Sequence, residues 1–373
     1  MGNTDDFFSS NQKLPSKIKT EIVRKYLRAW SVILSSKHKK IGYVDLFSGT
    51  GYFIDKDGHR EPSTPIEVME FCACYYRDMA KNFYIHFNEP NVEYFNALSE
   101  NLKNHRMWPH IQRRLTLTHE FISAENLEEF IRPYPCLYFL DPFGYGGYSI
   151  ESISKILSGR GNDILFFFNF NRFNMDISHP SEKIKSQSEI FLGVESKAEL
   201  LEKIHSLHGR EKQKAIVDHI WSALENCLPE KCYVVPFEFE FQDKERTSHY
   251  LVFVSKNITG RKIAREVMSG LRTEEGGEFR FSLKKSQKTQ GLFSNYYLLG
   301  DLLLKRFSRQ QVTVREIINI YDTENPRNSY VDKDYKDSLK QLREQGIIAV
   351  EKPDGKRVPD SQMPDTSIVT FLR

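Results

Sequence analysis

Four short stretches of this 373-residue chain hold residues that could do chemistry together. The first is Ile41 to Gly51, IGYVDLFSGTG, a short apolar run with one acid, Asp45, that leads into a turn with two glycines. Such a run reads as a buried parallel strand ending at a ligand. Lacking Cβ, Gly49 and Gly51 can take positive φ and let main chain approach a cofactor closely. The second is Glu89, just past the apolar run Phe83 to Phe87, where an acid can hold both hydroxyls of a ribose. The third is Asp141-Pro142-Phe143-Gly144-Tyr145, a carboxylate that can accept hydrogen bonds from a nucleophile, with aromatic rings beside it. The fourth is Asn169-Phe170-Asn171-Arg172, polar groups that could hold a substrate. A phosphate-cradling loop needs Gly-Lys-Ser/Thr, which the chain lacks. A dinucleotide fingerprint needs a third glycine where Ile54 stands and an acid about 20 residues on, whereas Glu89 lies 38 residues after Gly51 (89 − 51).

What remains is a loop for S-adenosylmethionine (SAM). Asp45-Leu46-Phe47-Ser48-Gly49-Thr50-Gly51 resembles the first motif of class I methyltransferases, especially those acting on nucleic acid. The resemblance implies that Asp45, Phe47, Gly49 and Gly51 seat the methionine part, Glu89 the ribose, and Glu120 with Phe121 the adenine. Methyl transfer is an in-line displacement at a sulfonium carbon, so the protein must align donor and acceptor. Asp141-Pro142-Phe143-Gly144 stands where amino-methylating enzymes carry Asp/Asn-Pro-Pro-aromatic. There the carboxylate and the first proline's carbonyl take hydrogen bonds from the amine, and the aromatic stacks on an extruded base. Phe143 replaces the second proline, so the aromatic role falls to Phe143 or Tyr145, with Asn169 as a further catalytic candidate. A plain structural reading of Asp141, as a cap for the following helix, stays open. Cys136 after Pro135 resembles the nucleophile of cytosine-C5 enzymes but precedes its strand, at the wrong edge of the sheet. The histidines show no metal spacing, so no metal site is expected.

These residues need a frame, and the chain spells one. Strand patterns at Ile41–Leu46, Phe83–Phe87, Leu115–Thr118, Leu137–Leu140 and Ile164–Phe168 alternate with helical ones at Ser63–Lys81 and Val92–Asn104. That alternation calls for a doubly wound α/β sheet, Rossmann-like, with ligands at the strands' carboxyl ends. Thr64, Pro65 and Glu67 read as N-cap, first helical residue and capping-box partner. Tyr52 to Pro62 is an insertion, a hairpin or flap near the cofactor. Residues 180–230 read as a helical insertion, and Lys231–Phe241 with Ser248–Val254 as an antiparallel edge pair, which sets SAM methyltransferases apart from dehydrogenases.

The bulk numbers bound the rest. Apolar content of 39% and charged content of 28% suit a globular chain, and 373 residues are enough for more than one core. The most apolar stretch, Ile164–Phe170, is far too short to span a membrane. Five cysteines without C-x-x-C spacing fit a reduced, cytoplasmic setting. The net charge of +3 is unevenly spread: Lys13–Lys40 carries nine basic residues against one glutamate, and Arg280–Glu344 thirteen against eight. Basic ends around a near-neutral middle suit a polyanionic partner. On the amphipathic helix Pro15–Ser36, Lys17, Lys19, Arg24, Lys25 and Arg28 fall off the apolar stripe, free to meet phosphate. The organisation expected is a basic helix (1–40), a methyltransferase-like domain (41–285) and a tail (286–373). Three helices and a hairpin from Ile347–Val350 and Lys356–Val358 make that tail a winged-helix domain, with Lys340, Arg343, Lys356 and Arg357 as nucleic-acid contacts.

The ordered set of pieces resembles the three-Cys-motif partner family: Tyr26-Leu27 and Trp30, the glycine loop, Ser63-Thr64-Pro65, Leu140-Asp141-Pro142-Phe143-Gly144, Asn169 and Asn171, and His249-Tyr250-Leu251-Val252-Phe253. Membership implies a class I methyltransferase-like fold with a C-terminal winged helix, SAM binding and a radical-SAM partner protein. The chain departs from the family in carrying Ser48-Gly49-Thr50 where an Ala-Gly-Pro-like step is common. A nucleic-acid methyltransferase is the reading these features favour. A non-catalytic scaffold, and a methyltransferase for protein or a small molecule, are its rivals.

Overall fold

A computed structural model describes residues 13–54, 58–74, 82–142, 147–177, 179, 182–241, 246–273, 279–281 and 296–372. The chain divides into two compact units, Met1–Val267 and Met268–Arg373. The division falls before Met268, where the sequence places it at Ser286, and the basic N-terminal helix belongs to the first unit.

In the first unit seven strands form one sheet: β1 (Ile41–Asp45), β4 (Phe83–Asn88), β5 (Leu115–Thr118), β6 (Cys136–Leu140), β7 (Asp163–Phe168), β8 (Tyr233–Glu240) and β9 (Thr247–Ser255). Their order is β8-β9-β7-β6-β1-β4-β5. Strands β4, β1, β6 and β7 run parallel, with β5 parallel to β4, while β9 is antiparallel to both β7 and β8. From β1 the chain winds outward to β4 and β5, then crosses back to β6 and winds the other way. The carboxyl ends of β1 and β6 therefore flank the switch point, where open α/β sheets bind ligands. Asp45 lies level with Phe87 on one side and Phe139 on the other, so Glu89 and Asp141 stand just beyond the strands' ends. All five residues of β1 and of β6 are buried, as strands covered on both faces must be.

The insertion after Gly51 is an antiparallel hairpin, β2 (Tyr52–Ile54) and β3 (Arg60–Pro62). The next helix, Thr64–Cys74, begins one residue earlier than its sequence suggests. The Glu67 N–H donates to the Ser63 carbonyl at 3.1 Å, which puts Ser63, not Thr64, at the cap. Thr64 instead shares a 3.1 Å hydrogen bond with Thr20 of the N-terminal helix.

That helix spans Lys13–Ser35 and buries Ile18, Ile22, Val23, Tyr26, Leu27 and Trp30. Ile33 and Leu34 are only half-buried. Three helices, Glu182–Leu192, Val194–Ile204 and Gly209–Glu225, occupy the place of the expected insertion and pack on the sheet. Phe191 stacks on Phe168 of β7 at 5.3 Å, and Trp221 meets Tyr250 of β9 edge-on at 5.4 Å.

The Tyr26 hydroxyl donates to Asp163 Oδ2 at 2.6 Å, deep under the sheet. Burial pushes the Asp163 carboxyl up to about 6, against hydrogen bonds from Ser255 and Tyr26 that pull it down. The folded protein thus holds this proton more tightly than the unfolded chain between about pH 4 and pH 6. Its stabilising contribution is full at acid pH and is lost as pH rises through 6. Asp163→Asn should gain stability relative to wild type as pH climbs from 4.5 to 7.5, by about 2 kcal/mol. Thermal melts across that range check it; a gap that does not change with pH contradicts it.

The second unit carries helices Tyr296–Phe307, Val314–Glu324 and Asp332–Glu344 around Leu299, Leu303, Ile317, Ile318, Tyr335 and Leu339. Thr313 and Glu316 close the expected capping box. Gly346, at φ +69°, follows the third helix. The hairpin differs from expectation. Ile348–Glu351 pairs antiparallel with Ile368–Phe371, which in turn pairs with Gln311–Thr313. Lys356–Val358 contributes a single bridge, Glu351 to Arg357. The later segment wins because Val369 and Phe371 are buried at alternate positions, whereas Lys356 and Arg357 are exposed. Arg272 and Asp334 form an ion pair at 2.9 Å, 5% and 1% exposed. Arg272→Ala strands a buried carboxylate and should destabilise this unit by about 3–5 kcal/mol. Adding Asp334→Asn should recover part of the loss in urea unfolding, and a double variant no better than the single would contradict the assignment.

Candidate functional site

The site is built at the carboxyl ends of β1, β4, β5 and β6. Beyond β1 the chain stays pinned on both sides: Leu46 N–H donates to the Phe139 carbonyl at 3.2 Å and Ser48 N–H to the Asn88 carbonyl at 2.9 Å. Asp45 is 1% exposed; its carboxylate accepts from Phe47 N–H at 3.1 Å and from the Tyr43 hydroxyl at 3.5 Å. Burial pushes this carboxyl well above the usual range, the charges of Asp141 and Glu89 push it further, and the Phe47 N–H and Lys19 oppose them. A cation bound here would relieve that strain on charge.

Gly49 takes φ +66°, and a Cβ built on it meets nothing within 4 Å. Its N–H donates to Glu89 Oε2 at 2.7 Å, while Glu89 Oε1 accepts from Asn91 N–H at 2.9 Å. Gly51, at φ +84°, is packed: its Cβ would lie 3.2 Å from Leu98 and 3.4 Å from Ile66. One glycine thus leaves room and the other closes the turn on the helices beneath. Phe47 covers Gly147, whose Cβ would come within 2.9 Å of the ring.

Asn88 is fully buried and ties three strand ends together. Its amide donates to the Leu46 and Glu120 carbonyls at 3.1 and 3.0 Å, and its oxygen accepts from the Glu120 N–H and the Thr118 hydroxyl at 3.0 and 2.8 Å. Sequence reasoning named the acid beside it and passed over the amide, although an asparagine closing a strand next to a glycine loop is the signal. Glu120 is held by its main chain with its side chain in solvent, and Phe121 is 76% exposed, an open ring beside the β4–β5 edge.

At β6, Asp141 is half-buried and paired with Lys19, a partner the sequence did not reveal. The Lys19 ammonium also lies 4.9 Å from the centroid of the Phe167 ring. Phe167 and Phe239 each lie 4.5 Å from the His249 ring, which burial, aided by Lys19, lowers to about 3; this histidine stays neutral. The helix after β6, Ile150–Ser158, is capped by Ser149, whose hydroxyl accepts from Ser152 N–H at 3.0 Å, so Asp141 is not its cap. Phe143 and Tyr145 lie outside the described residues.

Other expected site residues have structural work. Asn169 caps helix Phe170–Asp176 through Arg172 N–H at 3.1 Å, and its oxygen is therefore committed. Asn171 accepts from Arg246 at 2.8 Å, and Arg172 faces solvent with Asp176 3.8 Å away. The expectation that the basic residues stand free does not hold for Lys17 and Arg24: Glu61 pairs with Lys17 at 2.6 Å and Glu21 with Arg24 at 2.6 Å. In the second unit Lys340, Arg343, Lys356 and Arg357 meet Asp337, Asp360, Asp354 and Asp360 at 3.5, 2.9, 3.0 and 2.9 Å. Nearby acids compete for each cation. Arg28 is exposed. Cys136 starts β6, at the amino edge, and burial raises its thiol.

Two surface cavities flank the sheet, the second beside the glycine turn, where Asn101 donates to the Thr50 carbonyl at 2.7 Å. One of about 270 Å³ is lined by Gly42, Tyr84, His86, Arg132 and Tyr134, at the opposite edge of the sheet; the other, about 350 Å³, lies between Tyr52, Arg60 and Asn104. Among the described residues no group of three metal-ligating side chains converges, and no helix is long and apolar enough to cross a membrane.

Among the described residues at the strand ends, Lys19 offsets Asp141, which leaves the carboxyl groups of Asp45 and Glu89 beside an open glycine turn. That excess of negative charge suits a cationic ligand with hydroxyls.

No protein-family model matches the chain, and no curated protein does. Solved structures similar to it include protein LPL1258 from Legionella pneumophila, at 10% identity over 64% of this chain and 85% of that one, TM-score 0.38. Precorrin-6y C5,15-methyltransferase from Geobacter metallireducens matches at 16% identity over 69% and 98%, TM-score 0.29. The plantazolicin methyltransferase BamL, in complex with a triazolic desmethylPZN analogue and SAH, matches at 10% over 66% and 88%, TM-score 0.31. Scores this low assign neither fold nor activity, which rest here on the strand order and the residues themselves.

Proposed function

We propose that the chain is a SAM-dependent methyltransferase acting on nucleic acid. The observation that carries this reading is Gly49: a left-handed turn with empty space beside it, its N–H held by Glu89, next to buried Asp45 at the switch point. SAM bears a sulfonium and an ammonium against one carboxylate, so it is the cationic nucleoside that this cluster fits. In this reading Asp45, Phe47 and the glycines seat the methionine part, Glu89 takes the ribose, and the exposed ring of Phe121 with Glu120 borders the adenine. Asp141 faces the acceptor. The antiparallel β8–β9 pair beside β7 favours a methyltransferase over a dehydrogenase.

The nucleic-acid part is supported by the basic character of Lys13–Lys40 (nine basic, one acidic), of which Arg28, Lys37 and Lys39 are exposed. The second unit we read as a winged helix. Its third helix, Asp332–Glu344, carries four basic and four acidic residues, and Lys336, Lys340 and Arg343 are paired with acids, which favours docking to a protein over duplex DNA. A radical-SAM protein of the three-Cys-motif kind is the partner the sequence resemblance suggests, in the cytoplasm.

Incubation with methyl-labelled SAM, followed by separation of DNA, RNA and protein, tests the reading. Label in a nucleic-acid pool supports it; label in protein, or none with SAM bound, overturns it.

A further inference from the structure

Lys19 is the one feature at the site that the cofactor reading does not require. It sits on the N-terminal helix, 122 residues from Asp141, yet its side chain is turned inward and 15% exposed, while Lys17, Lys25 and Arg28 of the same helix are exposed. The helix is fixed in place by the Thr20–Thr64 bond at 3.1 Å and by Tyr26 on Asp163 at 2.6 Å, so the lysine is delivered by packing and not by a mobile arm. Desolvating an ammonium is costly, and here it is offset by Asp141 and by the face of Phe167.

We propose that Lys19 is a catalytic residue and that the acceptor atom is a hydroxyl oxygen, the ribose 2′-hydroxyl of RNA; this rests on the methyltransferase reading above. An amine nucleophile gains positive charge as its bond to the methyl carbon forms, so an ammonium at the acceptor carboxylate opposes the reaction. A hydroxyl has the reverse requirement. It must lose a proton, and negative charge grows on its oxygen as it does so. Asp141 takes that proton, and the Lys19 ammonium donates a hydrogen bond to the oxygen. The oxygen–carbon bond forms, the carbon–sulfur bond breaks with its electron pair going to sulfur, and a neutral thioether leaves. Sulfonium plus carboxylate becomes thioether plus carboxylic acid, so charge and atoms balance. RNA follows from the acceptor chemistry, since a free 2′-hydroxyl at every nucleotide distinguishes it from DNA, and exposed Arg28, Lys37 and Lys39 offer charge for its phosphates.

The test uses the full chain, total RNA and methyl-labelled SAM, with the RNA then hydrolysed in alkali. A methylated 2′-oxygen blocks cleavage, so label should appear in alkali-stable dinucleotides. Lys19→Met should cut transfer by about 10²–10⁴-fold while SAM affinity stays within about threefold; Lys19→Arg, which keeps the charge, should retain more. Label in alkali-released mononucleotides, or in DNA, overturns the hydroxyl assignment and leaves the methyltransferase intact. Transfer by Lys19→Met at or above the wild-type rate makes Lys19 a plug and overturns its catalytic role. A wild-type protein that binds no SAM overturns the proposed function, and this inference with it.

Discussion

Gly49→Ala is expected to leave the protein folded and to weaken SAM binding at least about 100-fold, or about 2.7 kcal/mol. The two effects separate because of where the new methyl group goes. In the protein alone a Cβ at Gly49 meets nothing within 4 Å, so its cost is the left-handed backbone, about 1–2 kcal/mol. For a unit of this size that lowers the melting temperature by only a few degrees, about 2–4 °C per kcal/mol. In the proposed reading the methyl group would enter space that the cofactor needs. Gly51→Ala provides the contrast. There the methyl meets Leu98 at 3.2 Å and Ile66 at 3.4 Å, so stability should fall with binding. Melting curves and calorimetry on the two variants check the pair. If Gly49→Ala binds SAM as wild type does, the hollow beside that turn is not the cofactor's seat.

Asp141→Asn should cut methyl transfer by about 10²–10⁴-fold with SAM affinity nearly unchanged. The amide still fills the place at the end of β6, but it cannot take the acceptor's proton, and the Lys19 ammonium loses its counter-charge. A second effect follows with a definite sign. The Asp141 charge is one of the causes holding the Asp45 carboxyl up, so its removal lets that carboxyl fall. The acid limb of SAM binding, where Asp45 takes up a proton, should therefore move to lower pH in the variant. Single-turnover transfer and binding titrations across pH check both. Equal loss of affinity and rate would place Asp141 in cofactor binding instead.

The glycine loop and the strand ends were legible in the sequence because their signals are local. A buried run of period-free apolar residues, a turn that only glycine can make and an acid one residue past a strand each announce themselves within a few positions. Glu89, for example, was placed from its own strand. Lys19 was not legible as a site residue. Its spacing put it among the polar positions of an amphipathic helix with Lys17 and Arg24, and only tertiary packing separates the lysine turned inward from those paired with Glu61 and Glu21. Asn169 misled for the opposite reason: an amide after a strand reads equally as a substrate contact or as the helix cap it is. In the second unit, the short spacing between Ile347–Val350 and Lys356–Val358 suggests a tight hairpin, of which the structure keeps one bridge. The partner strand Ile368–Phe371 lies beyond a polar stretch that offers no periodicity to follow.

The central claim is that the turn after β1 seats a cationic nucleoside. Titration calorimetry of the full chain with SAM tests it most directly. One site of about micromolar affinity, near −8 kcal/mol, is expected in wild type, with little or no heat from Gly49→Ala. No binding to wild type with SAM at about 100 times that concentration, or identical isotherms for the two proteins, would contradict it.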